Sequence, residues 1–434
     1  MINAEEISHA DKKQLFDDVD QKIDVIEFLD DYSLAEIFML LPIPDRMAME
    51  KVCLKWEEAC KLAWYKTKKY KCGRTIGRAY NDQLLTQSYV EKLLLQCGIH
   101  LNELCLSKIC TSSIMPVIGE YCKYLTRLEF VLNQRSKVNT DDYIQAFKKL
   151  DKLKYIKIKA TPLENHMIPN LNYEIFDSLP EEINEIHLYH PKVTTDTIPL
   201  FFNLKKYKSL HSLTLSGCTL DNIIQQISEQ IPLVYLDLDN SVNYDNDNND
   251  NTDNSNIRVP SASIFDELSK LEYLEYLNIA CVENFQDSSL IAIAKECTNL
   301  EFLNISNCRY ITEAGLDAII GIKSLRRLNV RALKCVTDSF VGKLKGLNSL
   351  ECGRCTKVTD VGIIQFIENC PDLKHLYVGY TCMTIDTIIA ANQATKYREN
   401  NIVLHIHGCH EELKAVCRSI IESKWLVTSY MIKL

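Results

Sequence analysis

Apolar residues along most of the chain recur in a short motif, leucine–x–x–leucine–x–leucine, with clear copies beginning at Leu274, Leu300 and Leu325. Alternating apolar and polar positions predict a short strand with one buried face. Threonine or aspartate then precedes an apolar stripe with helical spacing, as at 337–344 and 359–367. A short polar side chain before such a stripe is an N-cap signal. Each unit is therefore predicted to run strand, turn, helix.

The copies repeat at regular spacing. Their second apolar positions, about 22 to 30 residues apart with one exception, are Leu104, Leu128, Ile156, Ile186, Leu213, Leu236, Leu277, Leu303, Leu328, Leu350, Leu376 and Leu404. The exception contains segment 239–256, which is mostly Asn and Asp and is predicted to be a disordered insertion. Stacked units predict an α/β fold: a curved solenoid of about twelve repeats, with a parallel inner sheet and outer helices.

This pattern resembles the leucine-rich-repeat family, in particular its cysteine-containing subtype. Many of the 18 cysteines follow the repeat, either just after the strand or at the end of the helix. They are predicted to be reduced, buried packing residues. The pair Cys352 and Cys355 has the spacing of a redox or zinc half-site, but both positions belong to the repeat, so packing is favoured.

A second cluster of possible metal ligands comprises His405, His407, Cys409 and His410. Zinc needs about four ligands in tetrahedral array. Cys409 belongs to the inward-facing cysteines and is expected to point away from the histidines. We therefore predict no metal site and no cofactor.

Residues 28–64 lack the repeat motif. Leu34, Ile37, Phe38 and Leu41 form a helical stripe, and prolines come directly after it. This segment resembles the F-box, a three-helix motif, through Leu29, Ile37-Phe38, Leu40-Leu41, Asp45, Val52-Cys53 and Trp56. One departure is Asp30, where the family usually has proline after the leucine.

The resemblance implies the substrate-recognition subunit of an SCF-type cullin–RING ubiquitin ligase. Its F-box would bind the adaptor, and through it the cullin and RING subunits, while its repeats bind the target protein. Such a subunit has no catalytic chemistry of its own. The alternatives are an adaptor-bound scaffold acting without ubiquitination and a plain leucine-rich-repeat scaffold; Val52, Cys53 and Trp56 argue against the latter.

Roughly 40 residues are too few for a sizeable core, so apolar side chains of the F-box segment are expected at or just behind an adaptor face. These are Leu29, Leu34, Ile37, Phe38, Leu41, Pro42, Val52, Cys53 and Trp56. For Ile37, Phe38 and Trp56, packing among the three helices is an equally good interpretation.

Strand alternation places the residues that flank each buried leucine on the concave face. Aromatic and arginine side chains are typical binding anchors, so the candidate substrate-binding residues are Tyr276, Phe302, Arg327, Arg331, Glu351, His375, Tyr377 and His405. The arginines suit an acidic or phosphorylated degron. The alternative is a solvated polar face without a specific ligand.

Charge and composition narrow the expected partners and cellular location of the protein. The net charge of −9 argues against nucleic-acid binding, although a basic run lies between Lys66 and Arg78 and is interpreted as a solvated linker. Neither a signal peptide nor a membrane span is predicted, which favours the cytoplasm or nucleus. The predicted organisation is an acidic tail (1–24), F-box (25–65), basic linker and first helix (66–95), repeats (96–409) and C-terminal cap (410–434).

Overall fold

The computed structural model describes most of the chain. The described residues are 28–75, 84–132, 139–160, 174–189, 203–218, 220, 223–230, 232–239, 262–282 and 284–430. The predicted acidic tail lies outside them, as does the Asn/Asp-rich insertion from residue 240 onward.

The described part begins with a three-helix unit, α1 (Asp31–Met39), α2 (Ile43–Met49) and α3 (Leu54–Trp64). Asp30 is the N-cap of α1, because its carboxylate accepts a hydrogen bond from the Ser33 N–H at 2.7 Å. That backbone hydrogen bond lowers the pKa of Asp30. The residue that departs from the F-box pattern thus has a local role, in satisfying a free donor of the first turn.

Within the described ranges, the strands pair in chain order into one parallel sheet of 14 strands. They are β1 (Lys69–Lys71), β2 (Glu103–Cys105), β3 (Arg127–Leu132), β4 (Tyr155–Ala160), β5 (Glu185–Tyr189), β6 (Ser212–Ser216), β7 (Tyr235–Asp237), β8 (Tyr276–Asn278), β9 (Phe302–Asn304), β10 (Arg327–Asn329), β11 (Ser349–Glu351), β12 (His375–Tyr377), β13 (Leu404–Cys409) and β14 (Leu426–Tyr430). The predicted solenoid with a parallel inner sheet is confirmed.

Helices connect successive strands. The α-helices are α4 (Gln87–Cys97), α5 (Met115–Tyr121), α6 (Thr140–Lys149), α7 (Glu174–Asp177), α8 (Ile224–Ser228), α9 (Asp287–Glu296), α10 (Glu313–Ile320), α11 (Asp338–Lys343), α12 (Asp360–Asn369), α13 (Ile385–Lys396) and α14 (Lys414–Ile420). Short 3-10 helices occupy Gly98–His100, Ser112–Ile114, Leu204–Lys206, Ala262–Lys270 and Glu411–Leu413. Among the described helices, none combines the length and apolar character needed to cross a bilayer.

The sheet has one more strand at each end than the twelve predicted copies of the motif. β1 lies within 66–95, the segment interpreted as linker and helix, and pairs with β2. β14 lies in the predicted cap and pairs with β13. The register also corrects the central apolar position of the last predicted copy, because Leu376 pairs with Ile406 and not with Leu404.

The core runs continuously along the solenoid, and cysteines line it at regular intervals. The thiol of Cys308 donates to the carbonyl oxygen of Ile279 at 3.1 Å, and Cys355 donates to that of Val330 at 3.3 Å. Each carbonyl belongs to the preceding repeat. A buried thiol therefore fills space and also satisfies a backbone acceptor of its neighbour.

On the helical side, acidic side chains join one repeat to the next. Asp287, Asp338 and Asp360 each begin a helix and each accept the backbone N–H of the threonine that caps the next helix. The last of these bonds, from Thr384 to Asp360, is 2.9 Å long. The threonine and aspartate read as N-cap signals thus also connect neighbouring repeats.

Asp360 gives the strongest test of this connection, because its carboxylate also accepts from Thr387. Burial alone would raise the pKa of Asp360, but hydrogen bonds from Thr387 and Thr384 outweigh it and lower the pKa. Its contribution is therefore present at neutral pH and is lost as pH falls through the folded-state pKa. We expect Asp360→Ala to reduce the free energy of unfolding by about 2 kcal/mol at pH 7, measured by urea denaturation.

Asp386→Ala is the matched control, because Asp386 is an exposed aspartate in the first turn of α13. A change within about 0.5 kcal/mol is expected there. Equal midpoints for wild type and Asp360→Ala at pH 7 would contradict the prediction.

Candidate functional site

The three-helix unit buries part of the predicted adaptor face in its own core. Leu34 and Phe38 pack against Ala59, Cys60 and Ala63. Trp56 is half-buried, and its ring centroid lies 5.2 Å from that of Phe38. Phe38 is therefore a core residue and Trp56 covers the core.

Other predicted members of that face are open to solvent. Ile37 is 45% exposed, and Val52 is also exposed. Cys53 is exposed too, whereas Leu29 and Leu41 are half-buried. Pro42, at the N-cap of α2, is also exposed.

The most exposed apolar side chains of the unit were not among the predicted adaptor residues. Leu40 is 85% exposed, Leu54 is 81% exposed, and Phe28 is also exposed. Leu40 and Leu54 do not lie on the buried faces of α1 and α3. A leucine outside the apolar stripe of a helix is the sequence signal that would have identified them as exposed. The unit thus presents several large apolar side chains to solvent.

Arg46 holds the unit together and was also missed. It is only 6% exposed. Its guanidinium donates to the carbonyl oxygens of Phe38 and Met39, each at 3.1 Å, near the end of α1. It also donates to the hydroxyl of Thr67 at 2.8 Å, beyond α3. One side chain thereby satisfies acceptors from two segments.

Trp64 links the unit to the repeats. It is 1% exposed and belongs to the same apolar core as the repeat leucines. Its indole N–H donates to the carboxylate of Glu50. The Arg46 guanidinium lies 4.7 Å from its ring centroid, in a cation–π arrangement. Trp64, with Ile43 and Met47, therefore packs into the solenoid core, whereas Leu34 and Phe38 belong to a separate core of the helical unit.

A row of neighbouring rings runs across the concave face of the sheet. We call Tyr155, His187, Tyr235, Tyr276 and Phe302 the aromatic ladder. The centroids of Tyr235 and Tyr276 are 4.0 Å apart, and those of Tyr276 and Phe302 are 4.1 Å apart. The strands β7, β8 and β9 are consecutive and in register, which brings Tyr235, Tyr276 and Phe302 into contact. The ring of His187 is tilted against Tyr155 at 5.0 Å and meets Tyr235 edge-on at 6.2 Å.

An arginine closes each end of the aromatic ladder. The guanidinium of Arg127 lies 3.4 Å from the ring centroid of Tyr155, and that of Arg327 lies 4.9 Å from that of Phe302. Flat, rigid rings with arginines beside them are common anchors in protein interfaces. Sequence reasoning identified Tyr276, Phe302 and Arg327 but not the stacking of Tyr235, Tyr276 and Phe302.

Beyond Arg327 the face becomes basic. Arg331 is exposed and pairs with Glu351 at 3.7 Å. Burial raises the pKa of Glu351, and the charge of Arg331 partly opposes that rise. In the register of the sheet, Arg327 aligns with Ser349 and then with His375.

Three histidines and a tyrosine complete this end of the face. We call His375, His405 and His407 the histidine triad. His375 Nδ1 lies 3.3 Å from His407 Nε2, and the centroids of His375 and His405 are 5.3 Å apart. Tyr377 stacks on His407 at 4.3 Å. All eight predicted substrate-binding residues thus lie on one face, and His407 joins them.

Cys352 and Cys355 are buried in the core. Burial raises the pKa of Cys355 to about 11, so its thiol stays protonated and is a poor nucleophile or ligand. Across the residues that the structure describes, no group of three His, Cys, Asp or Glu side chains is placed to hold a metal ion.

Comparisons with known proteins point to the same two features. No family model matches the chain. The F-box/LRR-repeat protein 4 of Bos taurus is 25% identical over 142 residues, 26% of this chain and 23% of that protein. The TMV resistance protein N of Nicotiana glutinosa is 28% identical over 294 residues, 66% of this chain and 23% of that protein. The matches span about a quarter of each relative's length.

Among solved structures, one chain of the Rad7 and Elc1 complex in yeast superposes with a TM-score of 0.50 at 15% identity, covering 93% of this chain and 98% of that chain. At that identity the likeness concerns the fold alone. The resemblance to proteins that combine an F-box with leucine-rich repeats is confirmed, and the described part of the chain folds as a three-helix unit followed by a leucine-rich-repeat solenoid.

Proposed function

We propose that this chain is a substrate-recognition subunit of an SCF-type cullin–RING ubiquitin ligase. Its three-helix unit binds the adaptor, and its concave face binds the protein to be ubiquitinated. The observation that carries the proposal is the set of exposed apolar side chains on a unit that has already filled its own core. Such side chains are most stable when a partner covers them.

The chain performs no covalent chemistry in this proposal. It holds the target near the ubiquitin thioester carried by another subunit, which raises the effective concentration of a target lysine. The packing of Trp64 into the solenoid core supports this role, because a rigid connection between adaptor site and target site keeps their separation constant. The likeness to an F-box/LRR-repeat protein also supports it.

The proposed binding of the adaptor by the three-helix unit is tested with surface substitutions in the full chain. Deleting residues 25–65 would also remove Trp64 from the solenoid core, so loss of binding would be ambiguous. The double variant Leu40→Ser, Leu54→Ser changes side chains that contribute little to folding. Since burying one leucine contributes about 1.5–3 kcal/mol, adaptor affinity is expected to fall about a hundredfold or more, measured by calorimetry with purified adaptor.

Leu84→Ser is the control, since Leu84 is an exposed leucine outside the three helices. It is expected to keep wild-type affinity. Unchanged adaptor binding in the double variant, with an unchanged unfolding midpoint, would refute the proposed adaptor face.

The ligase and scaffold alternatives differ in whether an adaptor-bound chain recruits the rest of the ligase. Co-purification of cullin and RING subunits with the wild-type chain, and their loss with the double variant, are expected for a ligase subunit. A chain that retains the adaptor but never recruits a cullin would instead be a scaffold.

A further inference from the structure

The histidine triad is an unusual concentration of titratable groups on an exposed face. His375 and His407 share a contact of 3.3 Å between ring nitrogens, and His407 Nδ1 also contacts Ser429 Oγ at 3.1 Å. The ring centroids of His405 and His407 are 6.0 Å apart. In the neutral state one imidazole of the close pair donates to the other.

Protonation changes this arrangement. When His375 and His407 are both charged, each ring nitrogen is a donor, and two N–H groups face one another with no acceptor between them. The pKa of each is already lowered, by burial first and then by the neighbouring imidazoles. An anionic oxygen placed beside both nitrogens would accept from both N–H groups and offset the repulsion.

The surrounding charges favour an anion. Lys374, just before β12, further lowers the pKa of His375. On β11, the carboxylate of Glu351 pairs with Arg331. On β14, Val427 and Ser429 carry no charge. Arg327 takes part in none of the ion pairs between described residues and remains exposed.

We infer that the face formed by Arg327, Arg331 and the histidine triad binds an acidic peptide segment of the target, and that proton uptake by the triad strengthens this binding as pH falls. The inference rests on the proposed function and adds the chemistry of the target to it. The anionic groups are carboxylates or phosphates, both of which accept hydrogen bonds from these donors. Charge complementarity is the argument for this occupant.

The test measures fluorescence anisotropy of a labelled peptide of alternating Glu and Gly with the full chain. The dissociation constant is expected to be about tenfold lower near pH 6 than near pH 8, because the bound anion raises the pKa values of His375 and His407 and binding then takes up protons. A second peptide carries phosphoserine in place of Glu. The phosphate of this second peptide loses part of its charge near pH 6. If the face prefers carboxylates, the Glu peptide shows the larger gain in affinity from pH 8 to pH 6. If it prefers phosphates, the phosphoserine peptide binds more tightly near pH 8.

The variant His375→Gln, His405→Gln, His407→Gln is expected to keep the affinity near pH 8 and lose the gain near pH 6. His410→Gln, an exposed histidine just beyond β13, is expected to keep the gain. Equal affinity of the wild type at both pH values, no binding at either, or a full gain in the triple variant would overturn the inference.

A second measurement does not depend on the variant folding. In the wild-type chain, the imidazole proton resonances of His375 and His407 are expected to titrate at higher pH when the peptide is bound. Unchanged titration curves would also overturn the inference. Adaptor binding by the three-helix unit involves none of these histidines, so it tests the proposed function separately.

Discussion

Arg46→Ala is expected to unfold the three-helix unit while the repeats remain folded. The substitution removes the donors for the carbonyl oxygens of Phe38 and Met39 and for the hydroxyl of Thr67. A buried acceptor left without a partner costs about 1–3 kcal/mol. Together with the lost contact to the Trp64 ring, we expect about 4 kcal/mol less stability, and adaptor binding should be lost with it.

Tryptophan fluorescence suits the measurement, because Trp56 and Trp64 lie in α3 and the third tryptophan, Trp425, is at the other end of the chain. Arg46→Lys retains a charge with fewer donors and is expected to recover part of the stability. Arg74→Ala, an exposed arginine, serves as the charge control. An Arg46→Ala chain that binds adaptor and unfolds like wild type would contradict the assignment.

Trp64→Ala is expected to separate the unfolding of the helical unit from that of the solenoid. Large-to-small changes of a buried tryptophan cost about 3–5 kcal/mol, and here the cavity opens between two parts of the fold. Burial raises the pKa of Glu50, and the hydrogen bond from Trp64 opposes that rise. Without the indole, Glu50 loses its partner in a half-buried site.

In urea, we expect an early transition of the helices and then the main transition of the repeats. The helical content lost in the early transition, monitored by circular dichroism, should correspond to α1 through α3. Trp425→Ala, at the opposite end of the sheet, should leave the helical unit unchanged. A single transition with the wild-type midpoint in Trp64→Ala would show that the packing of Trp64 contributes nothing to the connection.

Local pattern was sufficient to predict the repeats, because the strands from β2 to β13 bury a leucine or isoleucine and several helices, such as α10, α12 and α13, start at a threonine cap. It failed at the two edges of the sheet. β1 is three residues long and contains two lysines around Tyr70, so it has no leucine motif. β14 is mostly half-buried or exposed. Both strands depend on pairing with a neighbour, which no short window of sequence records.

The candidate functional residues were likewise predicted from the sequence only in part. Strand alternation placed Arg327, His375 and Tyr377 on the concave face. The contact between Tyr235 and Tyr276 joins strands on either side of the long Asn/Asp-rich insertion, so only the register of the sheet brings them together. Arg46 lies in a short helix without a clear apolar stripe, and its burial results from tertiary packing alone.

Because cysteine thiols are buried at intervals along the solenoid, their reactivity can report the local opening of each repeat. Burial raises the pKa of Cys122 and of Cys297 to about 12, so neither reacts with an alkylating reagent while its repeat is closed. Each opening event that exposes a thiol makes it alkylatable, and the rate of mass labelling at each cysteine reports the free energy of that opening. The chain therefore carries reporters along its length, and a bound target can be mapped by the cysteines whose labelling it slows.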